Sequence, residues 1–224
     1  MQVAIFDFDG TLYEKETFNS LMKHLEEHPN YQAEYKKFYR DILPPFIGHK
    51  LKVYPTHKMR ANSMQLYVNA LDRLSVNELN MFFSDLAQKM RKDFNPLIIE
   101  RFKEHHANNV YTMLVSGAFT NLLTHFTTEF PFDKVIGTDI PILNNEVNKT
   151  EQIEHIQGTM KNEKINDALK NKQIDWKNSF AYADSYSDLS VLELVGNPVA
   201  VDPDQDLRNI ALERDWEIIE VKDD

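Results

Sequence analysis

The chain has 224 residues, 42% of them hydrophobic, enough for one sizeable core or a core carrying a smaller module. A formal net charge of −10 argues against nucleic acid or an anionic membrane as the main partner. There is no cysteine, which excludes disulfides and thiolate catalysis, and no apolar run approaches the roughly 18 residues of a membrane span. No basic segment followed by a long apolar run opens the sequence, so the expectation is a soluble, cytoplasmic protein.

In chain order, the first element is "VAIFDF" (3–8), a near-continuous apolar run that reads as a buried strand. It ends in Asp7 and Asp9, followed at once by Gly10 and Thr11. Two carboxylates one residue apart repel each other, and a purely structural strand end has no need of them. Residues 14–93 carry a different pattern. Leu21, Met22 and Leu25 recur at helical spacing, as do Leu66, Ala70 and Leu71, then Leu79, Phe82, Phe83 and Leu86. Ser75 with Glu78 fits a capping box, and Pro44, Pro45 and Pro55 are expected to break helices. This stretch reads as an all-helical insert.

A helical segment (95–109) then leads into a strand, "YTMLVSG" (111–117), which ends in Ser116 and Gly117. A helix over 120–130, a weaker strand at 133–140 and a polar, loop-rich stretch at 144–163 follow. A helix over 162–174 precedes the strand "SFAYAD" (179–184), with Asp188 just beyond it at the start of a short helix. The strand "NPVAVD" (197–202) and a turn, "DPDQD" (202–206), lead into a last helix. His105 and His106 point to different sides of their helix and are read as surface or helix-end residues. Alternating strands and helices predict an α/β fold built on a doubly wound parallel sheet, with a core of 1–13 and 94–224 and a helical cap at 14–93.

Ligands of open parallel sheets sit at the carboxyl ends of the strands, and the chemically capable residues fall there: Asp7, Asp9, Ser116, Gly117, Asp184 and Asp188. Three carboxylates can hold Mg²⁺, one can attack phosphorus, and another can move the leaving-group proton. A serine with backbone N–H groups can cradle phosphate, and a lysine can neutralise it. Lys164 is preferred as that lysine because Ile165, Ala168 and Leu169 follow it as a helical apolar face; Lys161 competes.

"DFDGTL", "LVSGAF", "KINDAL" and "YADSYSD" together resemble the four motifs of the haloacid dehalogenase superfamily, in the phosphoserine phosphatase-like branch of subfamily IB with a helical C1 cap. The resemblance implies a Mg²⁺-dependent phosphatase acting on a small phosphorylated metabolite. It implies Asp7 as nucleophile and metal ligand, and Asp9 as general acid/base with its main-chain carbonyl on the metal. Asp184 and Asp188 complete the metal set, while Thr11, Ser116, Gly117 and Lys164 hold phosphate. Glu16 stands where phosphoserine phosphatases place a carboxylate for the substrate amino group, whereas Tyr67 stands where they place an arginine; Arg60 lies nearby. Phosphoserine hydrolysis is one alternative, and a non-catalytic phospho-ligand binder on the same fold is another. A response-regulator receiver is about half this length and has no such insert; dehalogenases lack an acid at the position of Asp9. Oligomeric state, monomer or homodimer, is left open.

Overall fold

The computed structural model describes residues 1–51 and 56–220. Strand β1 (Val3–Phe6) is followed by helices α1 (Thr17–Glu27), α2 (Gln32–Lys50), α3 (Thr56–Ala70) and α4 (Val76–Met90). Next come α5 (Pro96–Ala107), β2 (Tyr111–Phe119), α6 (Thr120–Leu123), β3 (Lys134–Thr138) and the strand pair β4 (Ile142–Leu143) and β5 (Glu146–Val147). The chain ends with α7 (Thr159–Leu169), β6 (Phe180–Ala183), α8 (Leu189–Leu192), β7 (Asn197–Val201), α9 (Gln205–Glu213) and β8 (Glu217–Ile219).

Six strands form one sheet in the order β3-β2-β1-β6-β7-β8, every pairing parallel. The fold is therefore α/β and doubly wound. β1 is central and fully buried because both its faces are covered. Ala4 and Phe6 point into one apolar cluster, which they share with the insert helices and α5. Val3 and Ile5 point into the other, beneath α7, α8 and α9. Phe6 stacks on Tyr182 with ring centroids 4.6 Å apart and meets Phe132 edge-on at 5.7 Å. Each fully buried side chain of this size contributes roughly 1.5–3 kcal/mol.

The sheet register decides where the acids go. Phe6 pairs with Leu114 of β2 on one side and with Tyr182 of β6 on the other. Asp7 therefore lies with Ser116 and Asp184 at the carboxyl ends of three adjacent inner strands, and the Asp7 N–H donates to the Tyr182 carbonyl at 3.0 Å.

The segment between β1 and α5 is helical, with no strand among its described residues. Ser75 and Glu78 form the capping box that starts α4. Pro44 and Pro45 do not end a helix as expected; α2 runs through both. The i−4 carbonyls they leave without a donor belong to Arg40 and Asp41, where the helix meets solvent and water can serve instead. Pro55 lies outside the described residues. The stretch expected as loop after β3 contains the β4–β5 hairpin, whose two-residue turn, Asn144–Asn145, has positive φ at both positions. The hairpin ties the insert to the rest of the chain: the Val147 N–H donates to the Leu74 carbonyl at 2.8 Å, and the Val76 N–H to the Asn145 carbonyl at 3.0 Å. β8, unmarked in the sequence reading, adds an edge strand beside β7.

Candidate active site

Asp7 leaves β1 with its carboxylate at the floor of a cavity of about 820 Å³. Phe6 and Phe8 are both buried in the core, while Asp7 and Asp9 both line the cavity, so the alternation of side chains sorts the acids from the aromatics. A Cβ at Gly10, whose φ is +69°, would overlap the Asp184 carboxylate; the glycine both makes the turn and lets Asp184 approach. Asp9 is held by α1: its Oδ1 accepts from the Thr17 N–H at 2.9 Å and from the Thr17 hydroxyl.

The buried ammonium of Lys161 donates to Asp7 Oδ1 at 2.7 Å and lies 2.8 Å from the Asp188 carboxylate. Lys164 is one turn further along α7, half-buried at the surface, and pairs with Glu154 instead. The preference for Lys164 is thus corrected: the lysine beside Asp7 is Lys161. The signal was available, because the buried face of α7 is Lys161, Ile165 and Leu169, and that four-residue spacing extends back to Lys161.

The carboxylates of Asp7, Asp184 and Asp188 can each bring one oxygen within 4.8 Å of the others. Three acids against one ammonium leave an excess of negative charge. Burial raises the Asp7 carboxyl well above the ordinary range, with Lys161 opposing and Asp188 and Asp184 adding to the rise. Burial, then the charge of Asp188, pushes Asp184 up to about 7. Burial pushes Asp9 up to about 6 against the Thr17 hydrogen bonds. For Lys161, burial acts downward, but the Asp7 and Asp188 carboxylates outweigh it and hold the ammonium above its ordinary range. Asp188 meets the Lys161 ammonium with both carboxylate oxygens, each at 2.8 Å, so this one cation is shared between Asp188 and Asp7 and none is left for Asp184. An oxygen-only donor set, clustered and electrostatically undercompensated, fits a hard divalent cation.

Ser116 and Gly117 line the cavity beside Asp7, and the Ser116 Oγ accepts from the Ala118 N–H at 3.1 Å. Thr11 is fully buried beneath the turn and is not among the lining residues; its hydroxyl has no partner among the described residues. Glu16 and Arg60 both reach the cavity and lie 3.7 Å from each other. Tyr67 does not: it is fully buried and donates to the Leu21 carbonyl at 2.9 Å. His105 lies in the last turn of α5, as the helix-end reading expects, but is buried rather than superficial, with Nε2 2.7 Å from the Tyr182 hydroxyl.

The sequence reading missed His155, which lines the cavity against Gly117. Its tautomer follows from counting protons. The Thr138 hydroxyl donates to the Gly117 carbonyl at 2.8 Å and accepts from the Ile156 N–H at 3.2 Å. Its contact with His155 Nδ1, at 3.2 Å, must then be a bond donated by the ring. Nε2 is left as a bare acceptor, and burial, with Arg60 and Lys161 nearby, lowers the ring to about 4, so it stays neutral. No motif spacing marks this residue.

A family model described as haloacid dehalogenase-like hydrolase matches residues 4–193. The chain belongs to that family. Over 232 aligned residues it is 25% identical to a histidinol-phosphatase of Neisseria meningitidis, covering 98% of this chain and 99% of that protein. It is 27% identical over 162 residues to the inhibition of morphological differentiation protein of Streptomyces azureus; this match takes in 70% of the chain but spans only 57% of that relative's length. Among solved structures, a Bordetella pertussis protein of unknown function superposes with a TM-score of 0.80 at 20% identity, covering 97% of both chains. A substrate-bound phosphoserine phosphatase superposes with a TM-score of 0.66 at 16% identity, covering 99% of this chain and 94% of that one. These structures share the fold of the haloacid dehalogenase-like hydrolase described here.

Proposed function

We propose that this hydrolase is a Mg²⁺-dependent phosphatase that cleaves a small phosphomonoester through an aspartyl-phosphate on Asp7. The observation that carries the reading is the Asp7 carboxylate at the cavity floor, bonded to buried Lys161 at 2.7 Å and clustered with Asp184 and Asp188. Asp7 attacks phosphorus, and the bond to the leaving oxygen breaks. Asp9, with its carboxyl pushed up to about 6, gives a proton to that oxygen and later takes one from the water that hydrolyses the intermediate. Lys161, the Ser116 hydroxyl and the backbone N–H groups around Gly117 face the transferring phosphoryl oxygens. Asp7, Asp184 and Asp188, with the Asp9 main-chain carbonyl, would hold Mg²⁺. When bound, the ion offsets the charge shared by these acids and the phosphate.

The insert of residues 14–93 acts as the cap of a core formed by 1–13 and 94–224, shielding the reaction from water. The full-length likeness to a histidinol-phosphatase and the shared fold of phosphoserine phosphatase support a small metabolite as substrate and put both phosphate esters into the assay panel. The test is hydrolysis of p-nitrophenyl phosphate with and without Mg²⁺, by the native protein and Asp7→Asn. The variant is expected to lose activity on the order of 10⁵-fold while its circular dichroism stays native. Full activity in Asp7→Asn overturns the reading, and phosphate-ester binding without turnover in the native protein would instead make it a phospho-ligand binder.

A further inference from the structure

The cavity extends well beyond what a phosphate and its metal require. About 820 Å³ is near the upper part of the ~300–1,000 Å³ range that drug-sized ligands fill. One end is the acidic floor described above. The other end is walled mainly by Phe18, Met22, Tyr39, Leu43, Phe46 and Met59, supplied by α1, α2 and α3, with the polar Asn19, His49 and Ser63 from the same helices between them. On α2 the spacing of Tyr39, Leu43 and Phe46 sets them along one face. They are 51%, 40% and 42% exposed, large apolar side chains turned to an open space rather than into the core. Contiguous exposed apolar surface of this kind marks a binding site. The charged side chains Glu16 and Arg60, on α1's approach and α3, lie against each other, so each already has a counter-charge.

We propose that the substrate is the phosphomonoester of an uncharged alcohol with an extended apolar group, its phosphate at Asp7 and its apolar body lodged against α2 and α3. Continuity argues for this occupant over a partner protein: the apolar wall and the acidic floor belong to one cavity, so a single molecule can fill both. The inference rests on the phosphatase reading above.

The test is a series of n-alkyl phosphates from ethyl to octyl, below their micelle concentrations and with saturating Mg²⁺. Leaving-group basicity barely changes along the series, so a trend in kcat/KM reports contact with the apolar body. The wall is partly open, so about half of the full-burial value is expected: about twofold per methylene, roughly 60-fold over the six methylenes from ethyl to octyl. The octyl-to-ethyl ratio should fall below about 5 in Leu43→Asn and Phe46→Ser and be kept in Phe46→Leu. A flat series with measurable ethyl phosphate turnover overturns the inference and leaves the phosphatase reading intact. No turnover of any ester, p-nitrophenyl phosphate included, overturns both. Phosphoserine or histidinol phosphate outpacing octyl phosphate also overturns it. So does light scattering that shows a dimer dissolved by Leu43→Asn, because the wall would then belong to a second copy of the chain.

Discussion

The two ends of the cavity are built in opposite ways. At the carboxyl ends of the strands the charged side chains are held by directional contacts, Lys161 by two carboxylates and Asp9 by Thr17, and Gly10 leaves the room that Asp184 fills. At the insert end most of the lining side chains are large, apolar and partly exposed, with a few polar groups such as Glu16 and Arg60 among them. The first arrangement suits chemistry, which needs charges held within tenths of an ångström. The second suits recognition of an apolar body, which needs area rather than angle. The insert's own interior is ordinary core, packed through Tyr67 and Phe83 onto Phe119 of β2 at ring distances of 6.1 and 6.0 Å.

If this division is right, substitutions at the strand ends should cost activity, and those inside the insert should cost stability. The largest effect is expected for Lys161→Met, a loss of about 10²–10³-fold in kcat, against less than about threefold for Lys164→Met. Equal losses in the two variants would break the assignment of roles along α7. Next is Gly10→Ala, which both strains a positive φ and pushes Asp184 aside. It should lower kcat/KM at least tenfold and stability by about 1–3 kcal/mol, read by kinetics and urea melts on the same preparation.

The third test lies in the insert. His24 is buried, its Nε2–H donating to the Phe82 carbonyl at 3.1 Å, with Lys89 Nζ 3.1 Å from Nδ1. Burial, then the Lys89 charge, lowers the ring to about 4, below its usual value near 6.5 in an unfolded chain. Between those values the unfolded state binds more protons, so stability falls as pH drops from about 6.5 to 4. The His24 contribution to the loss at pH 5 relative to pH 7.5 should be about 1–2 kcal/mol, so the His24→Gln and native stability-against-pH curves should diverge by that amount. An unchanged pH slope in the variant would show that His24 does not titrate this way. The smallest effect is expected for Ser75→Ala, which removes one half of the capping box of α4. It should cost about 1 kcal/mol, seen as a lower urea midpoint with kcat unchanged.

The strands and the acids at their ends were legible because each is local. The apolar runs at 3–8, 111–117, 179–184 and 197–202 became β1, β2, β6 and β7, and both Asp7 and Asp184 emerged at the ends predicted for them. The β4–β5 hairpin was overlooked although Asn144–Asn145 is itself a turn signal, because each strand is only two residues long. α2 continued through Pro44 and Pro45 because a solvent-facing helix can leave two carbonyls to water. The apolar residues that follow Lys164 favour it by local pattern, but the choice between two lysines on one helix depends on which turn meets the sheet.

What the sequence alone determined is which apolar runs become the strands that carry the site, the acids at their ends and the family motifs, all set by residue type and short spacing. The tertiary structure decided which lysine meets Asp7, that His155 stands beside Gly117 with a bare Nε2, that Tyr67 is core and Arg60 is cavity, and that α2 turns an apolar face toward the site. These are relations between segments far apart in the chain. They are fixed by sheet register and helix packing, and no local spacing records them.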